Sequence, residues 1–343
     1  MRKILNTLFV MTQGAYLARD SDSLLVRVEK QTRLRVPILS LSGVVCFGRS
    51  LISPGALDLC GANGVAVSLL TEQGRFVARM EGRAGGNILL RREQYRATED
   101  PARAAAFASA IVGAKIANSR AVLLRSARDR PEGAPAQALR AAADDLENTL
   151  KRLKPEATLA DIRGAEGHAA HAYFAAFDHL ISTQKEDFPF RGRNRRPPLD
   201  NVNAMLSFVY TLLAHEAASA LASAGLDPAA GFLHRDRPGR PSLALDLLEE
   251  FRACLADRLV LSLINLRQVQ GKGFTRAETG AVTMDEVTRK TILTVWQKRR
   301  MEQIQHPFLN EVIPVGMLFH AQALLLARRL RGDLDAYPPF FWR

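Results

Sequence analysis

Cysteine is scarce in this chain: three residues in 343, Cys46, Cys60 and Cys254. They are widely spaced in apolar sequence and form no CxxC pair. An odd, scattered set argues against a disulfide framework or a structural zinc site and suits reduced core thiols in the cytoplasm. Long apolar runs are also missing. No stretch of about 18 apolar residues occurs, so no transmembrane helix is expected. The N-terminal MRKILNTLFVMTQGAYLARD has the outline of a signal peptide. However, its apolar part is short, is interrupted by Asn6, Thr7, Thr12 and Gln13, and lacks a small-residue cleavage site, so it reads as a strand. There is no internal repeat. GRAGGN at 82–87 has no Gly-Lys-Ser/Thr ending at P-loop spacing and reads as a linker, and Gly271-Lys272 fails the same test. Acidic residues are outnumbered, 35 against 47 basic ones, for a net charge of +12. A basic balance of this size points to a polyanionic partner or an anionic membrane.

What is present suggests about two domains by length and, at 47% hydrophobic residues, a real core. Residues 1–84 read as a small β domain. Strands are expected at Ile4–Met11, Ala15–Arg19, Ser23–Val28, Arg33–Pro37, Leu41–Cys46, Val65–Leu70 and Arg75–Met80, with a helix at Ser53–Asn63 capped by Ser53 and started by Pro54. Packing or dimerisation is the expected role. From Asn87 the pattern turns helical: Pro101–Ser126, Pro135–Lys154, Leu159–Phe177, Val202–Ala224, Ala253–Leu266, Thr288–Gln303 and Val312–Arg331. The expectation is an α+β chain: the β domain, an all-α domain over 85–335, and an aromatic tail over 336–343.

The chemistry concentrates in GFLHRDRPGRPSLALDLLEEFR, Gly231–Arg252. His234 precedes a polar turn, and the helix after it carries Asp246, Glu249 and Glu250 among leucines. Burying several carboxylates requires a cation, so either arginines neutralise them or a metal does. Glu166, in IRGAEGHAAHAYF, is the best further acid. Its neighbours Gly164, Ala165 and Gly167 are small enough to admit another helix or a substrate backbone. A helix-dipole role for Glu166 is equally compatible with its position. Glu166, His234 and Glu249 together make an oxygen-rich set with one imidazole, suited to Mg²⁺ or Mn²⁺, and Asp246 adds a further or supporting acid. His168 and His171 also share a helix face but lack HExxH spacing. Phosphate contacts are expected from Arg191, Arg193, Arg195 and Arg196 in DFPFRGRNRRPPLD, and from Arg299 and Arg300 in TRKTILTVWQKRRMEQ. Acids that bind a divalent cation inside a basic protein point to phosphodiester chemistry.

Taken together, IRGAEGHAAHAYF, RNRRPPLDNVNAMLSFVYTLL, GFLHRDRPGRPSLALDLLEEFR, VTRKTILTVWQKRR and HPFLNEVIPVGMLFHAQALLLARRLRGDLDAYPPFFWR resemble the CRISPR-associated adaptation integrase/endonuclease family (Cas-one), I-C subtype. These pieces run in family order over most of the chain. Ala281 departs from the pattern, where a second glycine is expected. The resemblance implies an N-terminal β domain for homodimerisation and an all-helical catalytic domain. It implies metal ligation by Glu166, His234 and Glu249 with Asp246 as an adjacent functional acid, and a solvent-side or ion-paired place for Glu250. It also implies two homodimers bridged by a dimer of the small Cas-two partner, acting on double-stranded DNA. The reaction would join the 3′-hydroxyls of a short DNA fragment to phosphodiesters of a CRISPR repeat by transesterification. Alternatives are a metal-dependent nuclease acting on branched DNA without integration, and a non-catalytic DNA-binding scaffold that pairs its acids with arginines.

Overall fold

The computed structural model describes residues 6–72, 76–80, 82 and 88–342. Residues 83–87, most of the GRAGGN linker, lie outside them, as do Ile4, Leu5 and Arg75 at the starts of two expected strands. The chain divides into two compact units, Met1–Gly85 and Gly86–Arg343.

The first unit contains β1 (Asn6–Val10), β2 (Tyr16–Asp20), β3 (Ser23–Val28), β4 (Gln31–Pro37), β5 (Leu41–Phe47), β6 (Leu51–Ile52), α1 (Pro54–Ala62), β7 (Ala66–Leu70) and β8 (Phe76–Met80). They build two four-stranded sheets, in the orders β1-β5-β7-β8 and β4-β3-β2-β6. The pairings β1–β5, β5–β7 and β2–β6 are parallel, so this is more than a meander of hairpins. Alternating residues such as Leu17, Leu24, Val26, Val44 and Val67 point into one core, joined by Ala56 and Cys60 of α1. Ser53 caps α1 by accepting from the Ala56 amide at 3.1 Å, and Pro54 occupies the first turn where no amide is needed.

The second unit is mainly helical: α2 (Ile88–Glu99), α3 (Pro101–Asp129), α4 (Gly133–Arg152), α5 (Leu159–Ala176), α6 (Asn201–Ser223), α7 (Ser242–Glu249), α8 (Arg258–Asn265), α9 (Glu286–Met301) and α10 (Leu318–Leu330). Side chains that the sequence places just before the helices start four of them. Asp100, Thr158, Asp200 and Asp285 accept from the first-turn amides of α3, α5, α6 and α9. Helices α3 and α6 are long and apolar enough to pass for membrane spans by length and composition. Their apolar windows are 61% buried inside the protein, as core helices are.

Three expectations need correction. The α+β class holds, a β region followed by a helical one, but hairpins β9 (Phe274–Arg276)–β10 (Val282–Met284) and β11 (Gln303–Gln305)–β12 (Val312–Pro314) interrupt the helices of the second unit. Strands of three residues are too short to display an alternating pattern. Val312–Arg331 is not one helix either, because Val312–Pro314 pairs with Gln303–Gln305 and the α-helix begins only at Leu318. Finally, Ala253–Leu266 is not uniform. Arg252–Asp257 forms a π-helical turn before α8, a local widening that often accompanies functional sites.

Candidate active site

Helix α7 carries the acids, and the turn before it carries the histidine. Asp246 is fully buried. Its Oδ2 accepts from the backbone amides of Phe232 and Leu233 at 2.6 and 2.9 Å, and its Oδ1 accepts from the His234 amide at 3.0 Å. Gly231 makes this wrapping possible: a Cβ there would lie 2.8 Å from Ser242 Cβ and 2.9 Å from Asp246 Oδ2. The same carboxylate contacts His234 Nδ1 at 2.6 Å. A carboxylate only accepts, so the proton of the neutral imidazole sits on Nδ1 and the lone pair sits on Nε2. Nε2 lies 3.9 Å from Glu249 Oε1.

Glu249 is almost entirely buried. Arg252 Nη2 approaches its Oε1 at 3.2 Å and Lys115 Nζ approaches its Oε2 at 2.8 Å. Burial pushes the Glu249 carboxyl up, but the charges of Arg252 and Lys115, with the Lys115 hydrogen bond, outweigh it and bring it down to about 2. Lys115 belongs to α3, and its Nζ also pairs with Glu166 Oε1 from α5. One ammonium therefore joins acids of two other helices. Arg252 stacks over the Tyr210 ring of α6, 4.9 Å from its centroid. Behind this layer, Tyr173 and Tyr210 donate to Asp257 at 3.0 and 2.6 Å. Burial pushes the Asp257 carboxyl up to about 6, although both hydroxyls and the Arg252 and Arg193 charges pull it down. Lys115, Ser119, Tyr173, Tyr210, Arg252 and Asp257 line a cavity of about 20 Å³, room for one water.

Glu166, His234, Asp246 and Glu249 thus come together from α5, α7 and the turn before α7. Both ways of neutralising the acids bear on the result. Basic side chains do pair with them, and the principal one is a lysine. Among the described residues, no three acid, histidine or thiol side chains close as a ready metal shell. The donor set nevertheless fits a divalent ion. Two carboxylates already share one buried cation, and an imidazole with its Nδ1 held presents Nε2 3.9 Å from Glu249 Oε1.

Glu250 is not on the solvent side. It is fully buried and accepts from Tyr337 Oη at 2.5 Å, the Phe340 amide at 2.7 Å and Gln322 Nε2 at 3.0 Å. Burial raises its carboxyl to about 7 against those hydrogen bonds. The cause is the C-terminal tail, whose Tyr337 and Phe340 pack on the carboxyl for which the resemblance implied a solvent-side or ion-paired place. The basic residues divide as well. Arg191, Arg195 and Arg196 are exposed. Arg193 turns inward to Asn203 Oδ1 at 2.6 Å and Ser207 Oγ at 3.1 Å, over the Tyr210 ring. Arg299 is half-buried. Arg300, 4% exposed and 3.3 Å from Glu216 Oε1, has no surface to offer a phosphate, which corrects its assignment as a DNA contact. His168 and His171 are exposed, with His168 against Asp145 at 3.1 Å, away from the acids of the site.

Lys115 escaped the sequence reading, although it left a signal. It is a lone lysine in the apolar stripe of α3 with Ile111, Val112 and Ile116, and lysines are seldom buried unless paired. The two glycines beside Glu166 serve no helix contact: a Cβ on Gly164 or Gly167 would meet nothing within 4 Å. That face of α5 is open.

The family model described as CRISPR associated protein Cas1 matches residues 8–298. A CRISPR-associated endonuclease Cas1 of Chlorobaculum tepidum is 52% identical over 343 residues, covering 100% of both chains. Another, from Rhodospirillum rubrum, is 50% identical over 347 residues and also covers 100% of both. In fold, a casposase bound to integration product superposes with a TM-score of 0.82 at 24% identity, covering 97% of this chain and 93% of that one. A Cas1 protein from Thermotoga maritima gives a TM-score of 0.82 at 21% identity, covering 97% and 99%. With the family model spanning most of the chain and full-length relatives at half identity, this protein belongs to the Cas1 family of CRISPR-associated endonucleases.

Proposed function

We propose that this chain is the integrase of CRISPR adaptation, in the I-C subtype that its motifs resemble, and that it works with Mg²⁺ or Mn²⁺ held by Glu166, His234 and Glu249. The observation that carries the reading is the convergence of two carboxylates from separate helices on one buried cation, with the His234 imidazole Nε2 3.9 Å from one of them, Glu249. A divalent ion there would supply Lewis acidity and charge for a phosphodiester.

The protein's own groups do the rest. Asp246 holds His234 in one tautomer and one ring orientation, a role that supporting carboxylates commonly play. Arg252 and Lys115 keep Glu249 ionised. The open face of α5 at Gly164 and Gly167 leaves room for a DNA backbone beside Glu166, and exposed Arg191, Arg195 and Arg196, with half-buried Arg299, supply phosphate contacts. In the reaction, the 3′-oxygen of the fragment forms a bond to phosphorus in the repeat. The phosphorus–oxygen bond to the repeat's own 3′-oxygen breaks, and that oxygen takes up a proton in place of the one lost by the attacking hydroxyl. One phosphodiester replaces another, so no external energy source is needed. The β unit serves homodimerisation, and a dimer of the small partner Cas2 bridges two such dimers on double-stranded DNA. The three buried thiols suit a reducing cytoplasm.

The test is strand transfer with a labelled fragment ending in a 3′-hydroxyl or in a dideoxynucleotide. Joining is expected only with the hydroxyl, and Glu166→Ala, His234→Ala and Glu249→Ala should each abolish it while the helical signal is kept. Cleavage of branched DNA without joining would replace integration by a nuclease reading. Wild-type rates in any of the three variants would remove the proposed site.

A further inference from the structure

Lys115 occupies the place that the proposed metal needs. Its side chain is 10% exposed, and its ammonium contacts Glu166 Oε1 and Glu249 Oε2, one oxygen from each of the two carboxylate ligands. Buried carboxylates repel one another unless a cation sits between them, and in this conformation that cation belongs to the protein. With Asp246 included, three carboxylates face two basic side chains, Lys115 and Arg252, so the site without a metal stays close to neutral. The oxygens that bind Nζ cannot at the same time be bare donors to another ion.

We infer that Lys115 is a tethered counter-ion: it holds α3, α5 and α7 together before metal arrives and is displaced when a divalent ion binds, so that its side chain sets the metal affinity of the site. This rests on the ligand assignment made above. Arg252 does not share the role. It reaches only Glu249 Oε1, and its guanidinium is stacked on Tyr210. The displaced ammonium has a destination, because Lys115 already lines a small, mostly apolar cavity whose wall also carries Ser119, Tyr210, Arg252 and the Asp257 carboxyl. A lysine suits such a swing better than an arginine. Its charge is a single point on a flexible stem, whereas a guanidinium would clamp both carboxylates with fixed donors.

The experiment is a titration of the full-length protein with Mn²⁺ alone, without DNA, followed by electron paramagnetic resonance of free Mn²⁺ and by the thermal midpoint. Lys115→Met should bind Mn²⁺ at least about tenfold more tightly than wild type, Lys115→Gln more tightly by a smaller factor, and Lys115→Arg more weakly. The metal-free Lys115→Met protein should melt earlier than wild type and gain more from Mn²⁺. If it does not fold, Lys115→Gln and Lys115→Arg still give opposite signs. Equal or weaker binding in Lys115→Gln, or tighter binding in Lys115→Arg, would overturn the inference. Glu166→Ala separates the two levels of argument. If it loses Mn²⁺ while the lysine series stays flat, the ligands stand and the counter-ion role falls. If it binds like wild type, both fall.

Discussion

Replacing Asp246 by asparagine changes one atom and isolates what that carboxylate does. Its two oxygens receive four donors. Phe232 N and Leu233 N meet Oδ2, while His234 N and His234 Nδ1 meet Oδ1. An asparagine amide must point its NH₂ at one of these pairs. Facing the first pair, it strands two buried backbone amides, at roughly 1–3 kcal/mol each. Facing the second, it strands only the His234 amide, because the imidazole can move its proton from Nδ1 to Nε2 and accept instead. The second arrangement is therefore favoured by about the cost of one stranded amide. The fold should survive with a loss of about 1–3 kcal/mol, a fall in melting temperature of several degrees for a unit of this size. The site should not survive, because Nε2 would carry a hydrogen where the lone pair is needed. Loss of a supporting partner commonly costs about 10–100-fold in metal affinity, and a fixed wrong tautomer costs more in rate. The assay pairs Mn²⁺ titration with ¹⁵N shifts of the His234 ring and urea unfolding. A folded Asp246→Asn protein that keeps the proton on Nδ1 and binds Mn²⁺ like wild type would refute this account of the carboxylate.

Two further outcomes are expected. Burial raises the Asp257 carboxyl from its ordinary 3.8 to about 6 in the folded protein. The folded state therefore binds the extra proton between those values, and stability falls as pH rises through that window. The ionised carboxylate then costs about 3 kcal/mol above it. Asp257→Asn should gain about 1–3 kcal/mol in urea unfolding at pH 8 and almost nothing at pH 4, and a gain independent of pH would contradict the linkage. In the basic loop, replacing exposed Arg195 and Arg196 together by alanine should flatten the slope of log binding constant against log salt by up to about 2 without changing the melting temperature. Arg193→Ala should instead lower the melting temperature, since it removes the donor to Ser207 Oγ, one of two donors to Asn203 Oδ1 and the guanidinium over Tyr210. Filter binding over a salt series, with a melt of each variant, checks both, and an unchanged slope in the double variant would remove those arginines from the DNA path.

Much of the architecture could be read locally. Ser53, Asp100, Thr158, Asp200 and Asp285 are caps whose effect is exerted within three residues, so the starts of their helices follow from neighbouring letters. Strand β3 falls at the expected residues for a similar reason: its buried leucines and valines lie beside the tight turn at Ser21-Asp22. The hairpins β9–β10 and β11–β12 were invisible because their stability comes from pairing across a loop, not from three-residue patterns.

The candidate site divides along the same line. Its chemistry was legible in residue types: a histidine before an acidic helix, a second acid among small residues, and a basic chain around them. Composition and motif were enough to suggest phosphodiester chemistry and the family. Only the tertiary structure decided how each charge is used. It turned Glu249 toward Lys115 and Glu250 toward the tail, pinned His234 with Asp246, and withdrew Arg300 from the surface. Adjacent helix positions differ by about 100°, and which direction meets a cation, a hydroxyl or water depends on partners tens to hundreds of residues away. Lys115 lies 51 residues before Glu166, and Phe340 lies 90 after Glu250. Electrostatic roles are set by distance in space and by burial, and a linear sequence specifies these only through the completed fold.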